Sequence, residues 1–257
     1  MTETILKNLN RIEEIHNARI LYAVESGSRA WGFASQNSDY DVRFIYIHQP
    51  DWYLSIREKR DVIEMPINDD LDISGWDIRK ALGLFAKSNP PLLEWLGSPI
   101  VYQDRFGFSD RLRTLLQDTF SPQRCMHHYL HMARGNYREY LKGETVRLKK
   151  YLYVLRPILA CLWLEKHGTM PPTEFSSLCQ DASLSMSLDG AVEELLQKKM
   201  AGEELAMAPS VPVLNDFIEQ QLDRLSLIAD RRPTPVVDYD VLDGLFREML
   251  HVCYQPG

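Results

Sequence analysis

Apolar residues in the first hundred positions fall into short runs and alternations, and beyond them into longer stretches with helical spacing. Residues 19–26, "RILYAVES", are rich in β-branched and aromatic side chains and stop at Gly27, which predicts a strand. "SRAWGFAS" (28–35) predicts one or two helical turns, and "QNS" (36–38) a turn. Residues 39–48 alternate, with Asp39, Asp41 and Arg43 on one side and Tyr40, Val42, Phe44 and Tyr46 on the other. "KRDVIEMP" (59–66) and "DLDISGWDI" (70–78) add two strands, enough for a small mixed or antiparallel sheet. "RKALGLFAKSN" (79–89) predicts a helix ended before Pro90-Pro91, and "PLLEWLGSPIVYQD" (91–104) a short helix with its own stop. The N-terminal "MTETILKNLNRIEEIHNARI" predicts an amphipathic helix broken up by charges, unlike a signal peptide.

From Ser109 onward the spacing is helical, in segments 109–120, 121–143, 145–168, 191–205, 213–230 and 238–253. Ser121-Pro122 is a helix start, with proline at the first helical position. The expected fold class is α+β: a sheet domain over 1–108, then an all-helical domain over 109–257.

The 257 residues suffice for one large domain or two modest ones, and 45% hydrophobic with 25% charged residues excludes disorder. Cys125, Cys161, Cys179 and Cys253 are widely spaced without a CxxC pair. They predict buried free thiols in a reducing compartment, with no structural zinc and no disulfide partner. The apolar stretch 151–168 carries Arg156 and Glu165, so no membrane span is expected. A cytoplasmic location follows as the expectation. The net charge of −7 argues against broad nucleic-acid binding but leaves room for a local basic patch.

Two short motifs carry candidate chemistry. Asp39 and Asp41, two apart on a strand, project to one face and offer hard oxygen ligands for Mg²⁺ or Mn²⁺. Gly27-Ser28 lies where a strand gives way to a helical turn, so free backbone N–H groups and the Ser28 hydroxyl favour a phosphate. A triphosphate on Gly27-Ser28, bridged by metal to Asp39 and Asp41, is the arrangement nucleotidyl transfer needs. A third carboxylate is then required. Asp72 is favoured, because an acid within an apolar strand needs a partner such as a metal. Asp77, five residues on, has the opposite parity and serves as the N-cap of a helix beginning at Ile78.

The run "GSRAWGFASQNSDYDVRFIYIH", glycine-serine, ten intervening residues, then Asp-x-Asp, resembles the polymerase-β-like nucleotidyltransferase superfamily. "DISGWDIRKALGLFAKSNPPLLEWLGSPIVY" and "VRLKKYLYVLRPILACLWLEKHG" are similar to the narrower RNA-repair-pathway polymerase-β family, which includes YcgL-type bacterial proteins. The resemblance covers roughly residues 19 to 168. It implies an intact metal site at Asp39, Asp41 and a third acid, NTP (ATP) as substrate, and an RNA end as one acceptor.

Other constellations are weaker. The spacing Ser35-Asn37-Asp39-Asp41 mimics a calcium loop, but Tyr40 and Tyr46 stand where its glycine and closing glutamate belong. His127, His128 and His131 lack the glutamate of a zinc-protease motif and predict a solvated helical face. Lys149, Tyr153 and Arg156 share a face at i, i+4 and i+7, with Lys150 adjoining; together with Arg29 they are candidate phosphate contacts. On this expectation the helical domain closes the active-site cleft. Glu25 and Arg43 are expected to support the site, and Trp76 and Trp95 to join the core. The leading function is metal-dependent transfer of an NMP from an NTP to an acceptor hydroxyl. AMP transfer to a protein or small molecule is the alternative, and a non-catalytic, antitoxin-like nucleotide-binding partner the alternative of another class.

Overall fold

A computed structural model describes residues 1–66, 70–202, 207–229 and 236–254. In chain order the first elements are α1 (Thr2–His16), β1 (Ala18–Glu25), α2 (Gly27–Ala30), β2 (Tyr40–His48), α3 (Pro50–Tyr53), β3 (Val62–Glu64) and β4 (Leu71–Asp77). Next come α4 (Ile78–Ala86), α5 (Pro90–Leu96), β5 (Val101–Asp104), α6 (Phe108–Thr119), α7 (Pro122–Tyr140), β6 (Thr145–Arg147) and α8 (Lys149–His167). The remainder is α9 (Phe175–Ala182), α10 (Met186–Met200), β7 (Met207–Pro209), α11 (Pro212–Ala229) and α12 (Tyr239–Tyr254). Residues 203–205 and 230, at the ends of two expected helices, lie outside the described residues.

The fold is α+β, built on a mixed five-stranded sheet of order β3-β4-β2-β1-β5. β2 runs parallel to β4; the other pairs are antiparallel. One sheet face is closed by α1, whose Ile5, Leu9 and Ile12 repeat at helical spacing and are fully buried. They belong to one core cluster with Ala18, Ile20, Val42, Phe44, Tyr46 and Ile73. Burying each of its isoleucine, leucine, valine and phenylalanine side chains contributes about 1.5–3 kcal/mol. Gly75 sits opposite Phe44 in β4, and a Cβ there would lie 2.3 Å from the Phe44 ring. The glycine weakens the strand locally but admits the aromatic ring.

Contacts group the chain into two units. The sheet unit comprises Met1–Ala30, Asp39–Phe120 and Pro235–Gly257; the helical unit comprises Trp31–Ser38 and Ser121–Thr234. This differs from a single division after residue 108. Helix α6 stays with the sheet, where Phe108 and Leu112 are buried and Arg113 donates to the Leu96 carbonyl at 3.1 Å. Helix α12 returns to it, with Tyr254 donating to the Ile47 carbonyl at 2.8 Å. The expected helix-and-stop at 91–104 is corrected to α5 followed by β5, which pairs with β1. Four residues are too few for alternation to reveal a strand, and the outer edge of β1 requires a partner for its backbone groups.

In the helical unit, α7, α8 and α11 pack on one another, and α8 is apolar around most of its circumference, as befits a central helix. β6 and β7 form a two-stranded ladder within this otherwise helical unit. Trp31–Ser38 joins it because the Phe175 N–H donates to the Trp31 carbonyl at 2.9 Å and Phe33 meets Phe175 edge-on. Cys125 and Cys161 are buried, and all four cysteines are free thiols. Among the described residues no helix is long and apolar enough to cross a membrane.

Candidate active site

The sheet unit carries the candidate chemistry where β1 ends and β2 and β4 begin. The strands start side by side in parallel register, so Asp41 lies directly opposite Asp72. Arg43, two residues along β2 on the same face, reaches back to both. Its Nη2 donates to Asp72 Oδ2 at 2.7 Å and to Asp41 Oδ1 at 3.2 Å, while Nη1 donates to the Asp72 carbonyl at 3.1 Å. All three side chains keep some access to solvent, at 30% for Asp41, 31% for Asp72 and 19% for Arg43. Like-charged carboxylates on adjacent strands repel, and a shared guanidinium offsets that repulsion.

Across from this pair, β1 breaks at Gly27, which adopts φ +59° and opens α2. A Cβ at Gly27 would stand 2.1 Å from Asp41 Oδ2, so the Asp41 carboxylate lies directly against this backbone. Both the left-handed conformation and the close approach require glycine. The Ser26 N–H donates to the Asp41 carbonyl at 2.8 Å, tying the turn to β2. Ser28, next along, is buried. Arg29 donates through Nε to the Asp39 carbonyl at 3.2 Å and stacks over the Tyr40 ring at 3.7 Å. Asp39 is exposed and immediately precedes β2 rather than lying within it.

Beneath this surface Glu25 is fully buried. Its Oε1 accepts from the Asp41 N–H at 2.7 Å, its Oε2 accepts from the Tyr102 hydroxyl, and Ser98 donates to its carbonyl at 2.6 Å. Burial pushes the Glu25 carboxyl above the usual range, against the lowering effect of its hydrogen bonds. Asp41 is also raised, first by burial; the charges of Asp72 and Asp39 add to this, and those of Arg43 and Arg29 oppose it. The charges of Asp39 and Asp72 therefore both reach Asp41.

Among the described residues no three His, Cys, Asp or Glu side chains form a ready-made metal cage. The donors nonetheless fit Mg²⁺ or Mn²⁺. Two hard, half-exposed carboxylates face each other across adjacent strands, and Mg²⁺ is commonly held by one or two carboxylates plus substrate phosphates.

Asp77 lies at the far end of β4 in a different setting. It is buried, its Oδ1 accepts from the Arg79 N–H at 2.9 Å as the N-cap of α4, and its Oδ2 accepts from Tyr53 at 2.7 Å. Burial pushes its carboxyl up to about 6.

The four α8 candidates belong to the helical unit. Lys149 opens the helix; Lys150 lies over the Tyr140 ring at 3.8 Å; Tyr153 meets Trp31 edge-on. Arg156 is buried, donates to the Thr173 carbonyl at 3.0 Å and lies over the Trp31 ring at 4.7 Å. It helps fasten the Trp31–Ser38 segment to α8. The residue sequence reasoning missed is Tyr102, hidden because β5 went unrecognised; "IVYQ" after the Gly97-Ser98-Pro99 stop was its only signal.

A family model described as RlaP, RNA repair pathway DNA polymerase beta family, matches residues 1–248. The uncharacterized protein YcgL of Bacillus subtilis (strain 168) is 53% identical over 225 residues, spanning 88% of this chain and 86% of that protein. A crystal structure of a nucleotidyltransferase-like protein from Exiguobacterium sibiricum 255-15 aligns over 98% of this chain and 82% of that one, at 15% identity and a TM-score of 0.33.

Proposed function

Since the chain belongs to the RNA repair pathway DNA polymerase beta family, we propose that it transfers an NMP from an NTP, with ATP as the expected donor, to an acceptor hydroxyl. The observation that carries this reading is the in-register pairing of Asp41 with Asp72, with the Asp41 carboxylate seated against Gly27. Asp39, Asp41 and Asp72 would hold Mg²⁺ or Mn²⁺, which supplies charge neutralisation on the phosphates and a more acidic acceptor hydroxyl. The chain's own groups do the rest. The backbone N–H groups that follow Gly27 and the Ser28 hydroxyl would donate to a phosphate. Glu25 fixes the start of β2 through the Asp41 N–H, setting the carboxylate against the turn. Arg43 favours the ionised form of Asp41 and so keeps it ready as an oxygen ligand.

The family description supports RNA as the acceptor. Incubating the protein with Mg²⁺ and α-³²P-ATP against separated RNA, protein and small-molecule fractions tests this. Label is expected in the RNA fraction with pyrophosphate released. Label in protein or small molecules would redirect the acceptor. Transfer from γ-³²P-ATP alone would overturn nucleotidyl transfer.

A further inference from the structure

At the opposite end of β4 the sheet unit has a polar cavity, of about 770 Å³, between the loop following α3 and the start of α4. Five cations line it: Arg57, Lys59, Arg60, Arg79 and Lys80, beside Trp52. It is remote from the carboxylate pair, since Asp72 and Asp77 are five strand positions apart, roughly 16 Å at about 3.3 Å per residue. We propose that this cavity binds the phosphodiester backbone of a single-stranded nucleic acid.

The charge balance is unusual for this chain, whose net charge is −7. The acids lining the cavity are Glu58, Asp61 and Asp77. Asp77 is buried with its oxygens engaged by the Arg79 N–H and Tyr53, and Asp61 takes Lys80 at 3.0 Å. Arg60 is paired with Glu64, and Lys59 lies 5.3 Å from the centre of the Trp52 ring. Helix α4 has no acid in its first turn and instead presents Arg79 and Lys80 there. Cations at a helix N-terminus oppose the macrodipole, an arrangement a bound anion relieves.

The cations are largely exposed, which decides between ligands. An exposed cation gains little from one small anion. Several acting together on a polyanion gain through released counterions, about 0.7 of a salt-slope unit per phosphate on a single strand. Trp52, half-buried and stacked on His48 at 4.3 Å, adds an aromatic ring beside the phosphate track. The proposal stands independently of nucleotidyl transfer.

Fluorescence anisotropy of the full chain with a fluorescein-labelled 15-nucleotide oligo(U) RNA, at 50 and 200 mM salt, is the test. Binding is expected to weaken with salt at a log–log slope of about −2 to −3.5, as three to five phosphate contacts require. The triple variant Arg57→Gln/Lys59→Gln/Lys80→Gln should bind at least about ten-fold more weakly, with the slope reduced by about 2. Its thermal melt should match the parent, because surface substitutions change stability little. Lys7→Gln/Lys198→Gln, an exposed and a half-buried cation elsewhere, should bind like the parent. Equal binding by the triple variant, or equal weakening by the control, overturns the site. Displacement of the RNA by equimolar UMP or pyrophosphate overturns the strand in favour of a small phosphate ligand.

Discussion

The two ends of the β2–β4 pair place aspartates in opposite circumstances. At the leading end, Asp41 and Asp72 face each other, half-exposed and bridged by Arg43, with Asp41 pressed against the Gly27 turn. At the trailing end, Asp77 is buried, and a helix N–H and a tyrosine hydroxyl take up its oxygens. The same side chain on the same strand is available to a cation at one end and committed to local structure at the other. Which face and which end a strand residue occupies therefore separates a candidate ligand from a cap, and acidity alone does not.

The sharpest way to break this contrast is by activity. Asp41→Asn or Asp72→Asn should lower single-turnover NMP transfer by about a thousand-fold or more, roughly 4 kcal/mol of barrier. Asp77→Asn should stay within about three-fold. A comparable loss at Asp77 would erase the distinction.

Stability against pH sharpens it from the other side. Burial raises Asp77 from the ordinary 3.8 to about 6, so the folded state holds that proton more tightly than the unfolded chain. The stabilisation is full below about pH 4 and lost as pH rises through about 6, some 3 kcal/mol at 1.36 kcal/mol per unit. Denaturant melts from pH 3.5 to 7 should show this decline shrinking in Asp77→Asn relative to the parent. Identical slopes would contradict a buried, raised Asp77.

Gly27→Ala comes next. The φ of +59° and a Cβ 2.1 Å from Asp41 Oδ2 should cost about 1–3 kcal/mol in chemical denaturation and displace the carboxylate, lowering transfer as well. Unchanged stability and activity would show that the carboxylate does not sit against the turn. The smallest effect separates Asp77→Ala from Asp77→Asn: only alanine loses the cap on α4, a difference of about 1 kcal/mol.

Much of the sheet unit could be read from its periodicity. The alternation over residues 39–48 exposed both faces of β2, and the glycine stop at 27 marked the end of β1. The cap role of Asp77 followed from parity and from the apolar helix that begins at Ile78. The opposition of Asp41 and Asp72 could not be read, because parallel register between strands separated by α3 and β3 is fixed by tertiary packing. For the same reason the Glu25–Tyr102 contact, 77 residues apart, was invisible. Arg156 stood out as a charge in an apolar helix, but spacing along α8 did not reveal that the Thr173 carbonyl and the Trp31 ring meet it. Nor did it show that residues 31–38 leave the sheet unit to pack there.

Mn²⁺ binding in the presence of ATP, followed by electron paramagnetic resonance on the parent and on Asp41→Asn, Asp72→Asn and Asp77→Asn, tests the central claim most directly. The account predicts nucleotide-dependent binding in the parent and in Asp77→Asn, and its loss in the other two. Retained binding in Asp41→Asn and Asp72→Asn, or loss confined to Asp77→Asn, would contradict it.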